Sequence, residues 1–298
     1  MVFRNFFFID ESVMPARLIA FSHAVRLRSV PSLSLDIFLD EVIFLFNTSL
    51  NVTSLIFLGT GAGGFRGSSR FKSSVFLGDL LFDCGAGAAG RLEDLGLLER
   101  LEAIFITHLH SDHLSGLYDT LVAMVVAKRN RPLKIYSPPG LSALLNAYAA
   151  LGNKLSDEPN NFELKIYESQ DIRAEVNGKR VESLKLDHVV TNLGFLVETP
   201  SFRLFYTGDT REPSDAQSLK VDYLIHEATF SGKQRELAKK YGHSTSTEAA
   251  ETAIILKAKK LFITHVDNHL DTPSEKEVEA QQVFQDTVLP DDLEAFNI

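Results

Sequence analysis

Cysteine is nearly absent from this chain: Cys84 is the single thiol among 298 residues. One cysteine cannot build an intramolecular disulfide framework, and such scarcity fits a reducing cytosol. Basic residues are outnumbered, 30 Lys and Arg against 39 Asp and Glu, for a formal net charge of −9. That balance argues against non-specific nucleic-acid binding by the protein as a whole. It leaves room for a local basic patch, or for bound cations that bring positive charge where it matters. No apolar run reaches the roughly 18–20 residues needed to span a bilayer, so no membrane partner is expected. What is there, 45% hydrophobic and 23% charged residues, is ordinary for a soluble globular protein of one large domain or two smaller ones.

Residues 1–52 differ from the rest of the chain. Phe6-Phe7-Phe8-Ile9 and Val42-Ile43-Phe44-Leu45-Phe46 are apolar, but Asp10, Glu11, Asp36, Asp40 and Glu41 interrupt them. An export signal needs a basic start, an unbroken apolar core and a small-residue cleavage site, and none is clean here. Asn47-Thr48-Ser49 and Asn51-Val52-Thr53 match the glycosylation pattern, and without an export signal both read as chance matches. This segment is expected to be an extension of unclear role, either an appendage or sequence translated from upstream of the true start. Residues 53–298 form the working domain.

From residue 54 the pattern is regular. Strands are expected at 54–58, 73–77, 80–83, 103–106 and 133–136, with helices at 86–97, 114–128 and 141–151. After a polar loop at 153–161, short strands follow at 163–167, 171–176, 180–186, 193–198 and 202–207. The C-terminal part alternates again: strand 223–226, helices 233–241 and 246–257, strand 261–264 and a helix near 275–285. Strand clusters alternating with helices in both halves predict an α/β fold of two sheets with helices outside them.

The densest chemistry is Thr107-His108-Leu109-His110-Ser111-Asp112-His113, directly after the apolar strand Ala103-Ile104-Phe105-Ile106. The chain has only nine histidines, so three within this window are unlikely neighbours by chance. Neutral imidazoles and a carboxylate at a strand-to-helix turn suit a borderline divalent cation such as zinc. Four further stretches end an apolar strand on a ligand type: Phe82-Asp83, Leu186-Asp187-His188, Thr207-Gly208-Asp209 and Ile263-Thr264-His265. A strand end is a rigid place from which to present a ligand. The glycines Gly59, Gly61 and Gly64 mimic a dinucleotide fingerprint. A strand rather than a helix is expected after them, so they read as a tight turn and no nucleotide site is assigned.

Taken in order, Asp83, His108-x-His110-x-Asp112-His113, His188, Asp209 and His265 resemble the motifs of the metallo-β-lactamase superfamily over residues 54–298. The resemblance implies an αββα four-layer sandwich with a dinuclear metal site at one edge. It implies that His108, His110 and His188 hold one metal, that Asp112, His113 and His265 hold the other, and that Asp209 bridges them. Asp83 would orient a ligand from behind. Two zinc ions per chain are the first expectation, and manganese or iron suit the same oxygen and nitrogen donors.

Two more stretches point to a branch. Ile225-His226-Glu227-Ala228-Thr229 and Gly242-His243-Ser244-Thr245 resemble the paired motifs of ribonuclease Z, the tRNA 3′-processing endonucleases. Phe82-Asp83-Cys84-Gly85 and Gly59-Thr60-Gly61-Ala62-Gly63 resemble the same branch. His110 stands where redox diiron relatives carry glutamate, and the Pro-Gly-His-Thr signature of the glyoxalase II thioesterases is missing near His188. The branch implies precursor tRNA as substrate, a cytoplasmic homodimer, Asp112 as a proton acceptor and His243 as general acid, positioned by His226 or Glu227. Lys233, Arg235, Lys239 and Lys240 lie between the two motifs and are candidates to meet RNA phosphates. They read equally well as a solvated helix face.

This sequence departs from the branch in two places. Only residues 189–208 separate His188 from Asp209, room for a strand hairpin but not for a tRNA-gripping arm. After His265 the chain reads Val266-Asp267-Asn268-His269, where the family often has a Ser-Arg-Tyr type sequence; His269 is left out of the ligand set. An arm-less phosphodiesterase acting on small or cyclic phosphodiesters is therefore the alternative. A binding module that kept the fold without catalysis would predict eroded ligands, and every matching position is intact.

Overall fold

A computed structural model describes residues 53–64, 69–151, 162–211, 216 and 218–298. The 1–52 extension, the stretch Phe65-Arg66-Gly67-Ser68 and the 153–161 loop lie outside the described residues. In chain order the strands are β1 (Ser54–Gly59), β2 (Ser74–Leu77), β3 (Leu80–Phe82), β4 (Ala103–Phe105), β5 (Leu133–Ser137), β6 (Leu164–Glu168) and β7 (Arg173–Val176). They continue with β8 (Lys179–Leu186), β9 (Asn192–Glu198), β10 (Arg203–Tyr206), β11 (Tyr223–Glu227), β12 (Lys260–Thr264), β13 (Thr287–Val288) and β14 (Ala295–Asn297). The helices are α1 (Ala88–Asp94), α2 (Ser111–Leu114), α3 (Leu117–Val126), α4 (Leu141–Ala150), α5 (Arg235–Tyr241), α6 (Ser246–Ile255) and α7 (Pro273–Val283).

Alternation along the strands sorts apolar side chains into three cores. On β1, Leu55 and Phe57 face the space between the sheets, whereas Leu58 points to the helices outside. On β12 the same division sends Phe262 inward and Leu261 and Ile263 outward. One sheet runs β14-β1-β2-β3-β4-β5-β6 and the other β13-β12-β11-β10-β9-β8-β7. The inner core is largely aromatic: Phe105 meets Phe195 of the other sheet at 5.3 Å between ring centroids, and Phe57 meets Phe262 at 5.3 Å. Each such ring pair adds about 0.5–1.5 kcal/mol beyond its buried area. Leu92, Leu121 and Leu141, from α1, α3 and α4, cover the outer face of the first sheet. Ala249, Ala253 and Ala280, from α6 and α7, cover that of the second. Helix, sheet, sheet, helix is the four-layer α/β sandwich expected from the sequence.

β3, β4, β5 and β6 are parallel, as are β10, β11, β12 and β13. Parallel strands share a carboxyl end, and loops leaving that end converge on one edge of the sandwich. β1 and β2 are antiparallel, so the glycine turn between them does not open a dinucleotide-binding unit. β9 and β10 form the short antiparallel hairpin expected between His188 and Asp209.

Several boundaries differ from the sequence-based expectations. The 86–97 helix shortens to α1 because Gly87 turns left-handed at φ 96°, and a Cβ there would lie 1.9 Å from the Phe71 ring. The 114–128 helix splits into α2 and α3 around Gly116. The 233–241 helix opens as a 3-10 turn at Gly232–Gln234 before α5. β13 and β14 have no counterpart among the expected strands; two and three residues are too few to show a strand period in the sequence.

Candidate metal centre

The carboxyl ends of β4, β8, β10, β11 and β12 deliver the site. β4 runs through Ile106 and Thr107 into His108, and α2 starts immediately after His110. Gly208 has φ +60°, and a Cβ there would come within 2.7 Å of the Thr107 side chain. Glycine is therefore needed to bring Asp209 against the His108 turn. His265 itself adopts φ 55° just past β12, and Asp83 adopts φ 55° just past β3. A left-handed non-glycine residue costs about 1–2 kcal/mol, and two of them at one edge are a mark of function rather than of stability.

Donor atoms gather in three groups among the described residues: two share Asp209, and the third joins Glu227 and His243 to His265. His108, His110, His188 and Asp209 place one ligand atom each within 4.8 Å of one another, and so do Asp112, His113, Asp209 and His265. In the first group His108 Nε2 lies 2.9 Å from His110 Nδ1 and 3.6 Å from Asp209 Oδ2. In the second, His265 Nε2 lies 3.1 Å from Asp112 Oδ2 and 3.4 Å from Asp209 Oδ1. His113 Nε2 and Asp209 Oδ1 are 3.2 Å apart, yet both are buried without a hydrogen-bond partner. Two unpartnered polar atoms aimed at common ground are the arrangement expected of two ligands to one cation. The residue set fits divalent metal: three imidazoles and a carboxylate on one side, two imidazoles and two carboxylates on the other.

The groups behind the ligands set which ring nitrogen faces the centre. Asp83, fully buried, accepts hydrogen bonds from the Thr107 amide at 2.8 Å and from the Tyr206 hydroxyl at 2.8 Å. Its Oδ2 lies 2.7 Å from His113 Nδ1, so that nitrogen carries the proton and Nε2 is left to bind. His188 Nδ1 donates to the Gly242 carbonyl at 2.6 Å, leaving Nε2 toward His110. Thr229 Oγ1 donates to Glu227 Oε2 at 2.6 Å and can then only accept from His265 Nδ1, 2.8 Å away. His265 Nε2 is thereby free for the centre.

Protonation states differ between the two groups. Burial lowers His108, His110 and His188, so these imidazoles are neutral. Burial opposes charge on His113, but Asp209 and Asp83 override it and raise its pKa well above the usual value, so a cation bound at its Nε2 has to displace a proton. Asp209, despite burial, is held well below the usual carboxylate range by His113 and His265. The second group thus carries negative charge that calls for a cation.

Beside the metal ligands lies a pair of another kind. His243 Nδ1 is 2.9 Å from Glu227 Oε1 and 3.8 Å from Asp209 Oδ2. Burial works against its charge, yet the Glu227 carboxylate raises its pKa to about 9. Its partner Glu227 is 1% exposed and also accepts from the Thr210 amide at 2.9 Å. His226 is not brought into this group. It alternates to the other face of β11, fully buried, with Nδ1 2.7 Å from the Glu227 carbonyl. His269 is exposed and also stands outside the ligand groups, its amide donating to Asp267 at 2.7 Å.

The superfamily match is now decisive. The family model described as the beta-lactamase superfamily domain matches residues 79–266. The chain belongs to the beta-lactamase superfamily. Among curated members, a ribonuclease Z from Listeria monocytogenes is 29% identical, covering 82% of this chain and 99% of its own length. A ribonuclease Z from Archaeoglobus fulgidus is 26% identical over 82% of this chain and 97% of its own. Among solved structures, the short form of human tRNase Z superposes with a TM-score of 0.68 at 28% identity, covering 82% of this chain and 98% of that one. These likenesses support the superfamily's ribonuclease Z-like branch for this chain.

Sequence reasoning missed several residues that hold the site. Tyr206 and Thr107 lie in apolar strand contexts that hide their contacts with Asp83. Thr229 was visible only as the last residue of the His-Glu-Ala-Thr motif. Lys72, which is 2% exposed and donates to the carbonyls of Ala62 and Gly64, had no signal at all.

Proposed function

We propose that this protein is a dinuclear metal-dependent endoribonuclease that cleaves tRNA precursors at the 3′ end. The observation that carries the reading is the Glu227–His243 pair set against a two-group ligand cluster. A phosphodiester repels an anionic nucleophile, and two bound zinc ions would neutralise the phosphate and make water acidic enough to attack at neutral pH. His108, His110, His188 and Asp209 would hold one ion, and Asp112, His113, His265 and Asp209 the other.

The chain's own groups supply the remaining steps. Asp112, ionised in spite of burial with His265 and His113 beside it, orients the nucleophile and is the candidate to take its proton. His243 keeps its Nδ1 proton against Glu227 and presents Nε2 to the leaving 3′-oxygen as general acid. With its pKa raised to about 9 it holds that second proton at neutral pH. His226 acts at one remove, through the backbone of Glu227. Lys233, Lys239 and Lys240 are exposed side chains that suit RNA phosphates; Arg235 is paired with Glu248 at 2.9 Å.

A homodimer is part of this reading. Tyr118 of α3 stacks on Tyr148 of α4 at 5.0 Å, joining exposed Val122 and Val126 to exposed Leu144 and Leu151. Such a patch suits a second copy of the chain. No helix among the described residues is long and apolar enough to cross a membrane, and a buried free Cys84 fits the reducing cytoplasm proposed as its location.

The short β9–β10 hairpin, with no room for an arm, favours a second reading: a phosphodiesterase for small or cyclic phosphodiesters. Zinc-loaded protein incubated with 3′-extended precursor tRNA and, separately, with bis(p-nitrophenyl) phosphate separates the two. Cleavage of both supports the leading reading. Cleavage of the small ester alone would transfer the assignment to the second, and no cleavage of either with metal bound would favour a binding module.

A further inference from the structure

α7 packs a lysine where an apolar residue would ordinarily sit. Lys276 is 1% exposed, and its ammonium donates to the carbonyl of Thr229, at 2.6 Å, and to that of Asp267. Burying an ammonium is costly unless hydrogen bonds compensate, so a lysine with an all-apolar stem and a buried head calls for a reason. Its position suggests one. Thr229 follows β11 and Asp267 follows β12, the two strands that deliver Glu227 and His265. The ammonium therefore cross-ties the ends of both strands at the backbone.

Thr229 is more than an anchor point. Its hydroxyl donates to Glu227 Oε2 and accepts from His265 Nδ1, at 2.6 and 2.8 Å. Glu227 Oε1 in turn binds His243 Nδ1 at 2.9 Å. A continuous hydrogen-bonded path thus runs from His265 through Thr229 and Glu227 to His243. At its middle stands the residue whose carbonyl Lys276 holds. Lys276 also lies within electrostatic reach of Glu227, Asp267, Asp271 and Glu279, so its charge favours the ionised state of Glu227.

We infer that Lys276 is a positioning residue which, through Thr229, keeps His265 in its metal-binding tautomer and the Glu227–His243 pair in register with it. The inference rests on the reading of His243 as general acid for its kinetic consequence, but not for its metal-binding one. Lys276 forms no bond to a ligand or to substrate. It acts through a threonine whose hydroxyl serves both the metal side and the acid side of the centre.

The test compares Lys276→Met, which keeps the stem and removes the head, with Lys276→Arg, Thr229→Val and Thr229→Ser. Zinc affinity is read by chelator competition on the intact protein, with no substrate present. Both Lys276→Met and Thr229→Val are expected to weaken one zinc equivalent by about 10–100-fold and leave the other near wild type. Thr229→Ser, which restores the hydroxyl, is expected to recover most of the loss.

The kinetic arm uses metal-saturated protein and two phosphodiesters, one with a p-nitrophenolate leaving group and one with an alkoxide leaving group. A good leaving group needs no proton, so kcat on the alkoxide ester should fall about tenfold more than on the p-nitrophenyl ester, with KM changed little. Equal loss of both zinc equivalents with a lowered melting temperature would overturn the inference, since that is what mere structural damage produces. So would wild-type zinc affinity in both Lys276→Met and Thr229→Val. If zinc affinity falls selectively while both esters lose rate equally, His243 is not the acid, and the general-acid reading fails separately from this one.

Discussion

The two halves of the candidate metal centre are supported differently. His108, His110 and His188 are neutral imidazoles, supported by the Thr107 hydroxyl, by the Gly242 carbonyl and by one another. In the second half Asp83 stands directly behind His113, while His265 is reached through Thr229 bound to Glu227, much as His108 is reached through Thr107 bound to Asp83. Asp112 adds a carboxylate ligand of its own to that half. A carboxylate behind an imidazole raises its basicity and locks its tautomer, so the second half is the more strongly organised of the two. It is also the half wired to the Glu227–His243 pair. Both halves reach the buried Asp83, the first through Thr107 and the second at His113.

The change that breaks the comparison altogether is Asp209→Ala, because that carboxylate belongs to both groups. Its loss takes one ligand from each of those two groups. Zinc content measured after gel filtration should fall at both sites, and hydrolysis should drop by about a hundredfold, the upper end for a disturbed metal site. Retention of one full zinc equivalent would show that the halves are independent.

His243→Ala should spare both halves and strike the chemistry. A general acid contributes about 10²–10⁴-fold, so cleavage of RNA should slow by that order while zinc content stays at the wild-type value. Loss of metal in this variant would contradict the role given to His243.

Asp83→Asn sharpens the contrast between the halves. It removes the carboxylate behind His113 but leaves every ligand in place. Zinc affinity should fall about 10–100-fold at the His113 site, and less at the three-histidine site, which Asp83 reaches only through Thr107. Equal weakening of both would mean that Asp83 serves the fold and not the tautomer.

The smallest expected effect concerns Cys84, the neighbour of Asp83 in the chain. Burial pushes its thiol up to about 12, with only the Thr120 hydroxyl, 3.3 Å away, to favour the thiolate. At pH 8 the native protein should therefore be inert to a disulfide reagent, while the unfolded chain reacts at one thiol. Ready reaction of the folded protein would show that the wall behind Asp83 opens.

Much of the centre is legible in the sequence, for a physical reason. Its ligands are polar residues at the ends of apolar strands, where burial and charge conflict unless a cation resolves them. His108, His110, Asp112 and His113 sit in one turn, and His188, Asp209 and His265 each end a strand, which marks them as candidates that the superfamily resemblance then joins into one ligand set. His226 shows where such reading stops. It stands beside Glu227 in the same motif, but a strand turns successive side chains to opposite faces, and the motif does not say which face meets the site. Element boundaries at Gly87 and Gly116, and the short strands β13 and β14, were likewise set by contacts far along the chain.

The four-layer sandwich and the ligand assignment came with the superfamily resemblance, whereas sequence order and residue chemistry by themselves determined the alternation of strands and helices, two sheets with helices outside them, and the gathering of ligand-type residues at strand ends. Those features depend on local period and on side-chain type, both of which are written residue by residue. Only the tertiary structure decided how the ligands divide their supports. Asp83 meets Tyr206, and Thr229 meets Lys276, because two sheets and an outer helix close on one edge. Contacts of that kind join residues many positions apart through the packing of whole layers, and no local pattern carries them.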